Sequence, residues 1–197
     1  MGMPASKLPT DMWKKIGINA GVILGTFDPA TPAVNKDDII GATTRTVTFN
    51  ASQTYKDLGE DVNNCPKNTK ELMMLDEWDI KLSGTFISAD TTASKRLIGL
   101  ADIYSNKVTP RTNIDILNDF GDLWFVFDYG GVHTGDKPGY YAIHMMDTLS
   151  TGGFQVQTDD KEKVKWPFEF TAHFSVDAED TVPFGVYVIP GGGMATT

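Results

Sequence analysis

A single cysteine, Cys65, stands in a chain of 197 residues. No intramolecular disulfide and no multi-cysteine metal centre can therefore form, and nothing beside Cys65 marks a reactive thiol, so a loop position without a role is the expectation. Histidine is nearly as scarce. His133, His144 and His173 lie far apart, with no H-x-H or H-x-x-x-H pair, so the spacing of a zinc site is missing. Long apolar runs are absent as well: nothing approaches the roughly 20 residues of a spanning helix, and Ala20 to Leu24 is too short for the centre of a secretory signal. Synthesis and folding in a cytoplasm are expected. Positive charge is also in short supply, with 17 Lys and Arg against 26 Asp and Glu, a net charge of -9 and a pI near 4.7. That balance argues against a protein that grips nucleic acid, since such binding draws on Lys and Arg at the phosphates. It suits a surface along which DNA slides without adhering.

What the sequence has in quantity is alternation. From Val164 to Val176, Val164, Trp166, Phe168, Phe170, Ala172, Phe174 and Val176 alternate with Lys165, Pro167, Glu169, Thr171, His173 and Ser175, which predicts one long strand. Pro167 cannot donate a ladder bond and is expected near an edge or a bulge. A second alternation sets Trp78, Ile80, Leu82, Gly84 and Phe86 against Asp79, Lys81, Ser83 and Thr85. A third sets Val47, Phe49 and Ala51 against Thr44, Thr46, Thr48, Asn50 and Ser52. Both predict strands with one apolar and one small-polar face. Further strands are predicted at 19–27, 123–129, 140–146, 153–157 and 183–189. A helix is predicted over Thr92 to Ala101, with Ala93, Leu97, Leu100 and Ala101 on one side and Thr91 or Thr92 as N-cap. The fold class is mainly β, a sandwich or barrel with one short helix, and at this length a single core is the prior. Around a β domain at 18–190 stand an N-terminal arm at 1–17 and a flexible tail at 191–197. An over-long loop at 56–70 (KDLGEDVNNCPKNTK) is a segment of the kind that is functional or disordered.

Chemistry-bearing motifs are missing. There is no G-x-S-x-G elbow, and Gly191 to Gly193 precede too little chain for a phosphate-binding helix. The acidic groups at Asp57, Glu60 and Asp61, at Asp159, Asp160 and Glu162, and at Asp177, Glu179 and Asp180 lack the spacing of a calcium loop and read as solvated turns. Asn50-Ala51-Ser52 matches a glycosylation sequon only by chance, inside a strand pattern. No enzyme, cofactor or metal is expected.

Several segments carry a resemblance to a known family: NAGVILGTFDP from Asn19, the G-A-T-T turn at Gly41 to Thr44, GEDVNNCPKNTKELMMLDEWDIKLSGTFISAD from Gly59, KVTPR, AIHMMDTLSTGGFQ and FEFTAHFSVDAEDTVPFGVYV. In order and extent these resemble the major tail (tail tube) proteins of siphophages, the long non-contractile tailed phages, and of related prophages. The resemblance implies a β-sandwich with a flanking helix, hexameric rings stacked into a tube, and strands from all subunits joined around a DNA channel. It implies homo-oligomeric partners, with tail terminator, tape measure and tail tip proteins beside them, location in the virion tail, and DNA that passes without specific binding. On that basis the lumen-facing candidates are Thr44, Thr46, Thr48, Asn50, Asp79, Lys81, Ser83 and Thr85. The ring-stacking candidates are Asp57, Glu60, Asp61, Asn63, Asn64 and Lys67. Two other readings compete: the tube of a contractile tail or type VI secretion system, and a carbohydrate- or receptor-binding β-sandwich using Trp13, Trp78, Trp124 or Trp166. For the last three, placement within apolar alternation favours core packing.

Overall fold

Two alternating segments decide the architecture. β2 (Thr43–Asp57) and β3 (Met73–Phe86) pair antiparallel along nearly their whole length, Val47 opposite Gly84, Phe49 opposite Leu82 and Ala51 opposite Ile80. The computed structural model describes residues 12–130, 139–189 and 191. The remaining strands are β1 (Gly17–Leu24), β4 (Ala101–Tyr104), β5 (Lys107–Pro110), β6 (Gly121–Tyr129), β7 (Gly139–Ser150), β8 (Trp166–Thr171) and β9 (Phe184–Ile189), with α1 at Thr91–Ile98. The main sheet runs β1-β6-β7-β8-β3-β2, with β9 also on β7, and β4 and β5 form a separate hairpin. The sheet curls into a half-barrel, a mainly β fold with one α-helix among the described residues, in line with the mainly β class the sequence predicts.

The curl has a local cause in β7. Its first part pairs with β6 on one side and β9 on the other, from Tyr140 opposite Ile189 to Met145 opposite Phe184. Its last two residues, Leu149 and Ser150, pair instead with Thr171 and Phe170 of β8. Between these parts Asp147 takes a left-handed φ of 48°, and the strand turns from one half of the sheet into the other. The apolar faces of the two halves then meet. Ile80, Leu82 and Phe86 of β3 and Phe168 and Phe170 of β8 pack against Leu123 and Phe125 of β6 and Ile143 and Met145 of β7. Complete burial of one such side chain is worth about 1.5–3 kcal/mol.

Gly84 is part of this packing. A Cβ there would meet the Phe168 ring at 2.7 Å, so the glycine leaves room for Phe168 to stack on Phe86 with centroids 4.3 Å apart. The run LWFVF in β6 is apolar on both faces, because a second cluster of Leu24, Phe27, Trp124, Val126 and Ala142 covers the far side. The helix closes one end of the core with Ala93 and Leu97.

Several expectations change. The strand predicted over 164–176 is β8 alone, ending at Thr171; Ala172 still donates to the Ile80 carbonyl at 3.0 Å, and the chain then leaves the sheet. Phe174, expected in the core, is 50% exposed. Pro167 sits as expected. It faces Thr85 at a position where its nitrogen points away from β3, on a flank of β8 that β7 no longer pairs. The strand predicted at 153–157 is a lone bridge between Gln157 and Lys165, and β4–β5 was not predicted. The N-cap is Asp90, whose Oδ1 accepts from the Ala93 N–H at 2.7 Å, and Ala101 belongs to β4. Residues 1–11 of the predicted arm, 192–197 of the predicted tail, and His133 lie outside the described residues, as does the side chain of Trp13.

Candidate assembly surface

Because β2 and β3 alternate in register, their second face is defined residue by residue. Thr48 lies opposite Ser83, Asn50 opposite Lys81 and Ser52 opposite Asp79, so these side chains share the face turned away from the core. β8 continues it, with Glu169 opposite Ser83, Thr171 opposite Lys81 and Pro167 opposite Thr85. The structure thus brings Thr48, Asn50, Asp79, Lys81, Ser83 and Thr85 together. Thr44 and Thr46 fall in an irregularity between Thr43 and Val47, where two extra residues of β2 break the alternation, and they are not part of that ladder.

The face is polar but close to neutral. Lys81 Nζ lies 2.9 Å from Asp79 Oδ2, and this hydrogen bond, opposed by desolvation and helped by the Asp79, Glu169 and Glu77 charges, holds the ammonium above its ordinary value. Thr151 links to the face through Thr171 Oγ1 at 2.7 Å and Glu169 Oε1 at 3.2 Å. Sequence reasoning did not find Glu169, Thr171 and Thr151, because strand adjacency across β3 and β8 leaves no mark in local spacing.

Beyond the core the hairpin continues to a tip with structure of its own. Asp57 Oδ1 accepts from the Gly59 N–H at 2.8 Å and its Oδ2 from the Asn68 N–H at 2.9 Å. These bonds, that from Asn68 the larger, hold the carboxyl below its usual value. Leu58 donates to the Leu72 carbonyl at 2.9 Å, and Asn64 and Asn68 supply left-handed turns. Asp57 therefore clamps the loop, whereas Glu60, Asp61, Asn63, Asn64 and Lys67 stand exposed on it. The over-long loop, expected to be functional or disordered, is thus held by hydrogen bonds of its own.

Exposed apolar side chains were also missed. Tyr55, Leu58, Val62, Met74 and Leu75 along the hairpin are each 46–55% exposed. On the opposite side of the sheet, β9 (FGVYVI) pairs, among the described residues, only with β7, and Val186 and Val188 are half-exposed. An uncharged edge strand of this kind lacks the usual devices against pairing with another chain. The run MML at 73–75, directly before the alternation at Trp78, was the available signal for the hairpin patch.

Elsewhere, the two described histidines are engaged in structure. His144 Nε2 lies 2.8 Å from Asp122 Oδ2 with its ring stacked on Trp124 at 3.9 Å, and His173 Nδ1 lies 3.0 Å from the Asp147 carbonyl. Among the described residues no group of three or more His, Cys, Asp or Glu is placed to hold a metal, and no helix is long and apolar enough to cross a membrane. Trp124 is 7% exposed, and Trp78 and Trp166 are partly buried against the core, so none of the three stands out as the open ring of a sugar-binding platform.

No protein-family model matches this chain, and no curated protein matches it. Among solved structures, a chain of "Virion of native gene transfer agent (GTA) particle" is similar over 79% of this chain and 92% of its own, at 9% identity and a TM-score of 0.38. A likeness this remote carries no argument about function.

Proposed function

We propose that the chain is the tube subunit of a long, non-contractile phage tail, a protein that acts by assembling with copies of itself and has no catalytic or cofactor chemistry. The observation that carries this reading is the β2–β3 hairpin. β2 is 15 residues long, roughly 50 Å at strand rise, with one face toward the core, the other small and polar, and, among the described residues, one edge unpaired. An open edge of that length, and the uncharged edge of β9, invite pairing with another chain. Subunits related head to tail close into a ring when the rotation allows, and sheets joined around such a ring turn one face to a common lumen. In this reading the rings are hexameric, and Thr48, Asn50, Asp79, Lys81, Ser83 and Thr85 line the channel. DNA passes without specific binding, since the lining offers no row of cations to phosphate. Tail terminator, tape measure and tip proteins complete the virion tail, which is assembled in the host cytoplasm.

Negative-stain microscopy of concentrated purified protein is the test. Tubes with a central channel are expected, and a monomer at every concentration and salt condition overturns the reading.

A further inference from the structure

The β2–β3 hairpin outruns the core it helps to build. On its core-side face the last packed residue of β3 is Trp78, its ring 5.6 Å from that of Phe184. Past Trp78 the same face carries Leu75 opposite Tyr55, 47% and 55% exposed. The chain leaving β8 runs alongside and adds Phe174. Together these walls enclose a groove of about 440 Å³. Its rim is acidic on both sides, with Asp76 and Glu77 on β3 and Glu179 and Asp180 facing them, and no Lys or Arg lines it. The indole N–H of Trp78 is buried without an acceptor among the described residues. An apolar floor under four carboxylates is complementary to a segment that brings apolar side chains and cations together. Covering the floor removes apolar surface from water, and the cations relieve repulsion between carboxylates closer than a screening length.

The chain carries such a segment far from the groove. The run from Met12 to Ile16 (MWKKI) sets Lys14 and Lys15 among large apolar residues, with Met12 40% and Ile16 39% exposed. Its position is fixed. The Ile16 carbonyl accepts from the Gly130 N–H at 2.9 Å, and Gly17 lies with Arg45, Thr46 and Val47 around one surface depression at the start of β2. The groove lies beside Tyr55. From Val47 to Tyr55 the strand covers roughly 26 Å, whereas Met12 to Ile16 reaches roughly 14 Å fully extended. The segment and the groove of one copy therefore cannot meet.

Complementary surfaces at opposite ends of one long hairpin can engage only between copies, head to tail. We infer that residues 12–16 of one copy dock in the groove formed by Leu75, Trp78 and Phe174 of the next. Met12 and Ile16 cover the floor, and Lys14 and Lys15 pair with Asp76, Glu77, Glu179 and Asp180. The contact steps along the hairpin direction. It rests on the self-assembly reading and names the surfaces that carry it.

A charge swap tests it on the full chain. One variant carries Lys14→Glu with Lys15→Glu, and the other carries Glu179→Lys with Asp180→Lys. Because Lys15, Glu179 and Asp180 are exposed, circular dichroism melts of both variants should match the parent. Sedimentation velocity should show each variant assembling at about tenfold higher concentration than the parent or not at all, as expected when two exposed ion pairs become repulsive. An equimolar mixture of the two should recover assembly, since each tail then meets charges of the opposite sign at positions 179 and 180, and so should a chain bearing all four substitutions. Normal tubes from both variants overturn the docking contact and leave the tube reading intact. Short head-to-tail oligomers that follow the charge swap but never close into tubes uphold the contact and overturn the tube. Variants that fail to assemble and are not rescued by mixing overturn the contact.

Discussion

Replacing Phe170 by alanine probes the packing on which the half-barrel depends. The side chain is 2% exposed, faces Leu82 across the β3–β8 ladder, and has its ring centroid 5.4 Å from that of Phe168. Both partners are buried, and the strands behind them are hydrogen-bonded in a continuous sheet, so little can move in to fill the gap. The loss then combines the transfer free energy of the ring with a cavity term, about 3–5 kcal/mol for a Phe-to-Ala change in a core. For a domain of this size that lowers the melting temperature by roughly 6–20 °C. Urea unfolding of the unassembled subunit, followed by near-ultraviolet circular dichroism, measures it directly. Phe174→Ala is the internal control. It belongs to the same sequence alternation but is half-exposed, so it should change unfolding by no more than about 0.5 kcal/mol while weakening the contact between copies. A loss below about 1 kcal/mol for Phe170→Ala, or equal losses for the two variants, refutes the reasoning.

Asp57 gives the tip loop a pH dependence. Its folded-state pKa lies below the ordinary value of 3.8, so its contribution is complete above the unfolded value and is lost as the pH falls through the lower folded one. Amide exchange at Gly59 and Asn68, corrected for intrinsic rate, should accelerate below about pH 4 and should be fast at neutral pH in Asp57→Ala; protection unchanged in that variant disproves the clamp. Gly21→Ala should destabilise by about 1–3 kcal/mol, since φ is 70° and a Cβ would lie 2.9 Å from the Val126 carbonyl oxygen; an unchanged melting curve contradicts this. Lysine at both Asp79 and Ser83 should leave folding and tube appearance intact but slow DNA ejection at low salt, with relief on adding salt. Ejection at the parent rate removes these residues from the lumen.

The β-rich class, the two long alternating strands and the polarity of their faces were legible without any structure. A strand's side-chain period is two, so Thr48, Asn50, Asp79, Lys81 and Ser83 had to share a polarity opposite to Phe49, Ile80 and Leu82. The glycine of L-S-G-T was visible too, although its purpose was not, because Phe168, the ring it accommodates, lies far along the chain. Alternation alone did not say where a strand ends. Trp166 to Val176 alternate without a break, yet pairing with β3 stops at Ala172, and only the ladder partner decides that Phe170 is core and Phe174 is surface. The short β4–β5 hairpin carries too few residues for a period to register. Asp57 looked like one more loop acid until the backbone N–H groups of Gly59 and Asn68 were brought to its oxygens. The groove by Trp78 and the MWKKI segment are each ordinary in sequence. Their separation by a hairpin too long to bridge from within is a property of three dimensions, since it depends on which strand end each one reaches.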